Sequence, residues 1–362
     1  MRPKTHISVL AIVLLIVPVL AQSGRVRERS KPNDDQSEAL RLRVEEVLLP
    51  VSVRTNTGKL PAKLERSDFI VTEDGKRQVI NSVLRTPANV LFVLDVGGES
   101  VLKDLNLHRD LALRMIDSLG ADDQAAIITY GDRVSLISGW TKDKKALRGA
   151  LNWKFRPGLA SELYAGLIYA ADEILTRVTG RRSVVIITDG VDSYDDRSFE
   201  RALTELHRAR ATVYVASQSA ILLSALKPQA FNALSWFEML DPQQRVRIER
   251  LRLYYRQLEA GTITFKGLAE ETGGAAWDPP TVDDFKGLDK KIVDEMNMEC
   301  VIAYQSQRPP DDAKFHTVRV TATRTDLRIR FRRGVYSSVR PKSDASGRAE
   351  RQGLKLVVDD PS

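Results

Sequence analysis

Two long apolar runs dominate the hydrophobic pattern of this chain. Ala88-Asn89-Val90-Leu91-Phe92-Val93-Leu94 leads into Asp95, and Val184-Val185-Ile186-Ile187-Thr188 leads into Asp189. Short runs rich in β-branched residues predict strands covered on both faces, as in a parallel sheet. The two are read as adjacent central strands, each delivering an acid to the sheet edge where open α/β folds bind ligands. Around them, apolar residues recur at helical spacing. Leu107, Leu111, Met115, Ile116 and Leu119 predict a helix over 105–119, closed by Gly120, and Leu163, Leu167, Ala170, Ile174 and Leu175 predict another over 161–178. Strands at 125–130 and 134–138 have too short a link for a crossover helix, which makes them antiparallel. Helices at 142–151 and 199–210 and a strand at 212–215 continue the alternation. Residues 217–262 interrupt it as a helical insertion. Its helix starts at Asp241-Pro242 with Gln244 at N3, carries Ile248, Leu251, Tyr255 and Leu258 on one face, and ends at Gly261.

Outside this block the period falls to two. Residues 40–87 read as a small β module, with Asp74-Gly75 as a hairpin signal. A helical segment at 265–271 stops before Gly273-Gly274, followed by a strand at 275–277, a helix at 282–296 and a strand at 300–305. Alternating runs at 316–321 and 327–331 form a C-terminal β extension over 306–336. The expected fold class is α/β: a Rossmann-like doubly wound, mostly parallel sheet over 88–305, with a small N-terminal all-β module and a C-terminal β extension.

The amino terminus changes the cellular picture. Arg2 and Lys4 precede an apolar run, Ile7 to Ala21, that ends in Val19-Leu20-Ala21. That is the form of a signal peptide, and the run is shorter than the roughly 20 residues of a membrane span. The leader is expected to be cleaved after Ala21, with retention as an anchor as the alternative, so the mature chain is expected outside the cytoplasm, periplasmic or extracellular, with no stable membrane span. A polar spacer over 22–39 and a polar tail over 337–362 flank the folded part. The 362-residue chain carries 55 Lys and Arg against 48 Asp and Glu, a net +7. So small an excess among so many charges does not predict nucleic acid as a partner. The single cysteine, Cys300, cannot form an internal disulfide and reads as a buried structural thiol.

Candidate chemistry gathers at the two strand ends. Asp95 and Asp189 are each followed by glycine-containing loops, and Ser161 opens the long helix near the same edge. Oxygens from three segments suit a hard cation such as magnesium. The competing readings are a pair of ordinary Asp-Gly turns and a serine helix cap. Arg245, Arg247, Arg250, Arg252 and Arg256 surround the inserted helix, either as a solvated surface or as a docking face for an acidic partner. No dinucleotide, Walker, zinc-protease or nucleophile-elbow motif occurs.

These residues also carry a resemblance. The chain resembles the von Willebrand factor type A domain family, in particular the exported VWFA-related domain proteins of Acidobacteria. The resemblance runs over roughly 40–336 and includes Ser67-Asp68-Phe69, Leu268 to Gly274 and Arg333-Gly334-Val335-Tyr336. It implies a metal-ion-dependent adhesion site built from Asp-x-Ser-x-Ser, a threonine and an aspartate. Asp95 matches the first acid, Gly97 and Glu99 stand at the two serines, Ser161 at the threonine and Asp189 at the last acid. The implied metal set is therefore Asp95, Glu99, Ser161 and Asp189, a degenerate site for magnesium or manganese, or for no ion. The implied function is a non-enzymatic adhesion or assembly module, with a protein partner at the C-terminal rim of the sheet or at the 217–262 insertion. A metal-independent structural scaffold is the alternative, and a hydrolase the distant one.

Overall fold

The computed structural model describes residues 45–97, 103–192, 199–232, 241–308 and 314–336. The leader, spacer and tail, and Glu99, lie outside the described residues. Among the described residues no helix is long and apolar enough to cross a membrane.

The chain begins with β1 (Glu45–Thr55), β2 (Phe69–Glu73), β3 (Lys76–Arg77) and β4 (Val79–Leu84). Asp74 and Gly75 both have positive φ, 49° and 78°, so the Asp-Gly pair makes the tight β2–β3 hairpin its sequence predicts. The late strands β11 (Glu299–Ser306), β12 (Phe315–Ala322), β13 (Leu327–Phe331) and β14 (Gly334–Tyr336) join these early ones. One sheet runs β13-β1-β11-β4 and a second runs β14-β12-β2-β3. The early and late strands, read separately from the sequence, thus hydrogen-bond to each other and share one core. Val47, Leu49, Val51 and Val53 of β1 pack there with Phe69, Val71, Ile302, Tyr304, Val318 and Val320. Cys300 lies in the same core, and burial pushes its thiol up to about 12, as befits a structural thiol.

Between these strands lies the α/β part. Its sheet contains β5 (Ala88–Asp95), β6 (Gln124–Tyr130), β7 (Val134–Thr141), β8 (Arg181–Thr188), β9 (Ala211–Ser217) and β10 (Ala275–Trp277), ordered β10-β9-β8-β5-β6-β7. β5 and β8 are parallel neighbours at its centre, and only the β6–β7 pair is antiparallel. All eight residues of β5 are buried. On one face Val90, Phe92 and Leu94 meet α1 (Leu105–Ser118), α2 (Lys144–Lys154), α7 (Val282–Lys286) and α8 (Leu288–Asn297). On the other, Leu91 and Val93 meet α3 (Leu163–Tyr169), α4 (Phe199–Arg208) and the C-terminal part of α6 (Pro242–Glu271). Packing on both faces explains the long apolar run.

Three elements depart from the periodicity. The helix expected over 161–178 is α-helical only for Leu163–Tyr169, then widens to a π turn over Ala170–Ile174 and tightens to a 3-10 turn. The indole of Trp140 donates to the Ile174 carbonyl at 3.1 Å, giving an acceptor in this irregular stretch a partner. The inserted helix does not stop at Gly261 but continues to Glu271. Its buried residues include Tyr254, Leu258, Gly261 and Phe265, so Tyr254 faces inward rather than Tyr255. Tyr255 instead packs edge-on against Phe231, the last residue of α5 (Ser219–Phe231). Finally, the helix expected over 282–296 breaks at Gly287 into α7 and α8.

At the junction of α4 with the late strands sits His207, 4% exposed and edge-on to Phe315. Burial, and then the Arg332 guanidinium, push its pKa down to about 3. The unfolded chain takes up this proton near pH 6.5, well before the folded one. Stability is therefore fully present above about pH 6.5 and declines as pH falls toward about 3. By about pH 4.5 the share lost through this residue is about 2.5 kcal/mol. Denaturant titrations at pH 7 and pH 4.5 are expected to show a smaller acid-induced loss for His207→Gln than for the wild type, by about that amount. Equal losses would mean that the folded protein protonates this histidine as readily as the unfolded chain.

Candidate functional site

Parallel pairing of β5 with β8 sets Leu94 opposite Ile187, so Asp95 and Asp189 emerge side by side at the C-terminal edge of the sheet. Ser161 arrives from the loop before α3. These three sequence-identified residues are brought together, and each is 0% exposed. Glu99, the fourth, lies outside the described residues. Ser161 is not a helix cap. Glu162 holds the N-cap position of α3 without a side-chain bond, and the Asp192 carboxylate accepts from the Tyr164 N–H at 3.0 Å. The Ser161 hydroxyl instead donates to Asp95 Oδ1 at 2.9 Å.

The centre of the site is a lysine outside the family motif. The Lys103 ammonium lies 2.9 Å from Asp95 Oδ2 and 3.1 Å from Asp189 Oδ2, with its side chain 1% exposed. Lys103 directly precedes Asp104, the N-cap of α1, whose carboxylate accepts from the Asn106 N–H. The start of α1 therefore directs the lysine between the two strand ends. Neutral donors reach all four carboxylate oxygens as well. Asp95 Oδ1 accepts from the Gly97 N–H at 2.9 Å, and Asp95 Oδ2 from the Thr188 hydroxyl at 3.2 Å. Asp189 Oδ1 accepts from the Val191 N–H at 3.0 Å, and Asp189 Oδ2 from the Tyr254 hydroxyl of α6 at 3.0 Å. The Tyr130 hydroxyl donates in turn to Thr188 Oγ1 at 2.9 Å.

Burial dominates the electrostatics. It raises the pKa of Asp189, with Lys103 opposing, and drives the Tyr130 phenol well up, with the Asp95 charge adding to the effect. His108 of α1 is pushed down to about 4 by burial and then by the Lys103 charge. Its Nδ1 stands 3.2 Å from the Asp95 carbonyl, an oxygen that can only accept, so a neutral ring with Nδ1–H fits there.

The family likeness implies a divalent cation at these acids, and the arrangement does not fit one. A magnesium ion needs carboxylate oxygens at about 2.1 Å in a near-octahedral set. Here the two oxygens that face each other already share an ammonium. A doubly charged ion about 3 Å from that ammonium would meet repulsion on the order of 10 kcal/mol at an effective dielectric of about 20. Among the described residues no group of three or more His, Cys, Asp or Glu is placed to hold a metal.

Lys103, Thr188 and Tyr254 were not singled out by sequence. A basic residue in the loop after Asp95, combined with glycine at a hydroxyl position of the motif, is the signal that could have found the lysine. Thr188 adjoins Asp189 and was legible as its neighbour. Tyr254 carried no signal, because its approach depends on how α6 docks.

The rim beside this cluster is held firmly. The Asp132 carboxylate accepts from the N–H groups of Leu159 and Ala160 at 2.8 to 3.0 Å, and the Gly158 N–H donates to the Val96 carbonyl at 2.7 Å. Leu159 nevertheless stands 83% exposed.

Residues 89–233 match the von Willebrand factor type A domain. The fold is accordingly an α/β arrangement of that type, a mixed sheet with flanking helices and strands. No curated protein matches the sequence. Among solved structures, the PilB minor pilin from Streptococcus sanguinis is similar at 11% identity and a TM-score of 0.39, over 59% of this chain and 61% of the pilin. Proximal thread matrix protein 1 from the mussel byssus is similar at 15% identity and a TM-score of 0.43, over 66% of this chain and 51% of that protein. A structure of the same byssus protein with a zinc-occupied MIDAS motif aligns with 61% of this chain and 48% of that one, also at 15% identity and a TM-score of 0.43. The chain thus spans about half to three fifths of these proteins' lengths.

Proposed function

We propose that this protein is an exported, non-enzymatic protein-binding module of the adhesion or assembly kind, acting in the periplasm or outside the cell. Its partner surface is the C-terminal rim of the central sheet. One observation carries the reading: the loop 156–160 is pinned by Asp132 and Val96, yet presents Leu159 almost fully to solvent. A loop ordered before contact loses little entropy on binding, and an exposed leucine on it offers apolar area to a partner. The match of residues 89–233 to the von Willebrand factor type A domain agrees with a binding role, and the exported VWFA-related proteins of Acidobacteria are the group to which we assign the chain. The polar cluster beneath is consumed by internal contacts, which suits it to holding the rim rather than to touching a substrate. Magnesium or manganese, with Asp95, Glu99, Ser161 and Asp189 as ligands, enters this reading only where Lys103 is displaced.

A second surface is the pair α5 and α6. Val246, Leu253 and Ile263 of α6 are exposed, as is Phe231 of α5, over which Arg252 sits at 5.9 Å. Site-specific photo-crosslinkers in the exported protein separate the two surfaces. A crosslinker at Leu159 is expected to capture one discrete partner, unchanged by chelator, whereas one at the exposed control Lys290 captures none. Capture at Ile263 but not at Leu159 would move the surface to the helical pair. Absence of capture at either would remove the binding role.

A further inference from the structure

The disagreement between the family motif and this site has a specific content. Two carboxylates, Asp95 and Asp189, lie side by side with no exposure to water. Buried like charges brought this close are relieved either by a cation between them or by one of them taking up a proton, and here a cation is present. One nitrogen, Lys103 Nζ, contacts an oxygen of each, 2.9 and 3.1 Å away, and is itself sealed from solvent. Five neutral donors, Ser161, Thr188, Tyr254 and the Gly97 and Val191 amides, bond the same two carboxylates and give every one of their four oxygens at least one partner.

We propose that Lys103 is the resident cation of this domain, a covalently attached ammonium that takes the place of a divalent ion and makes the rim independent of metal. Removing it should leave two facing buried carboxylates, and so create a site for a small divalent cation with oxygen preference, such as manganese or magnesium. The lysine fixes β5, β8 and the start of α1 together wherever the protein is exported, whatever ions that environment supplies. The inference concerns the isolated chain and does not depend on the partner surface proposed above.

The test uses the purified full chain, with thermal unfolding, calorimetric titration and manganese paramagnetic resonance. For the wild type, about 10 mM manganese or magnesium, or chelator, is expected to leave the midpoint unchanged and to give no bound-ion signal, since that level reaches even weak oxygen sites. Lys103→Ala is expected to melt lower in chelator and to bind manganese, regaining about 5 °C when the ion is well above its dissociation constant. Should Lys103→Ala not fold in chelator, refolding in manganese replaces the melting shift as the readout. Lys103→Met/Asp189→Asn removes the lysine together with one of the facing charges. It is expected to melt above Lys103→Met in chelator and to ignore manganese. Manganese binding by the wild type would overturn the proposal. So would a Lys103→Ala protein that gains no manganese binding, folded or refolding, and so would a double variant no more stable than Lys103→Met.

Discussion

Replacing Val93 with aspartate is expected to leave the protein unfolded at pH 7. Val93 is 0% exposed in the central strand β5, with Ile186 of β8 and Ile128 of β6 at its flanks. It points into the face covered by α3, α4 and α6, where its neighbours are apolar. A carboxylate there would sit among apolar side chains, whereas Asp95 two residues later meets the Lys103 ammonium and the Ser161 hydroxyl. Desolvating such a charge costs several kcal/mol, a large part of the roughly 5–15 kcal/mol that holds a domain together. Val93→Thr keeps the shape and adds only a hydroxyl, for which a loss of about 1–3 kcal/mol is expected. Denaturant midpoints should fall in the order wild type, Val93→Thr, Val93→Asp, with the last lacking a cooperative transition. A wild-type midpoint for Val93→Asp would show that β5 is not a central strand.

The contrast between Val93 and Asp95 also shows what the sequence could reveal. Continuous apolar character marks β5 and β8 because both faces of these strands are covered, and that is a local property of the residues. The acids that end them, and Ser161 beside them, follow from the same local reading. Pairing between distant segments left no such trace. The register that sets Val51 against Cys300 is decided by a shared core rather than by any period within β1 or β11. Lys103 was obscure for a related reason. As a residue in a loop it resembles any solvated lysine, and only parallel alignment of two strand ends turns it into a buried counter-ion. The arginine-rich helix shows a third case. Its apolar stripe was visible, with Ile248 and Leu258 buried and Leu251 and Tyr255 packed beside them, but Tyr254 was missed, since it and Tyr255 are chemically alike and only docking on the Asp189 loop selects between them.

Gly261 offers the sharpest conflict between local and tertiary preference. Read locally, a glycine within a helix is a weakness, and alanine there should add about 0.5–1 kcal/mol. In the fold the helix passes straight through this position because it lies against the backbone of Gly190, just after Asp189. A Cβ on Gly261 would meet the Gly190 carbonyl oxygen at 1.9 Å and its carbonyl carbon at 2.8 Å. That neighbour is backbone, in a loop where Gly190 already holds a φ of +94°, so it cannot rotate away as a side chain would. Overpacking of this kind costs about 1–3 kcal/mol where side chains can yield, and more where backbone must move, so the steric cost exceeds the propensity gain. Tyr254 lies two helical turns earlier on the same face, and a shift of α6 would pull its hydroxyl from Asp189. Gly261→Ala should therefore lose about 2 kcal/mol or more and weaken the Lys103 cluster along with the helix. Gly267, six residues on in the same helix, has open space where its Cβ would stand. Gly267→Ala should gain about 0.5–1 kcal/mol. Denaturant titration of the two variants is expected to give shifts of opposite sign. A gain for both would mean that α6 does not rest on the Asp189 loop, and that the tyrosine contact to the site is not made.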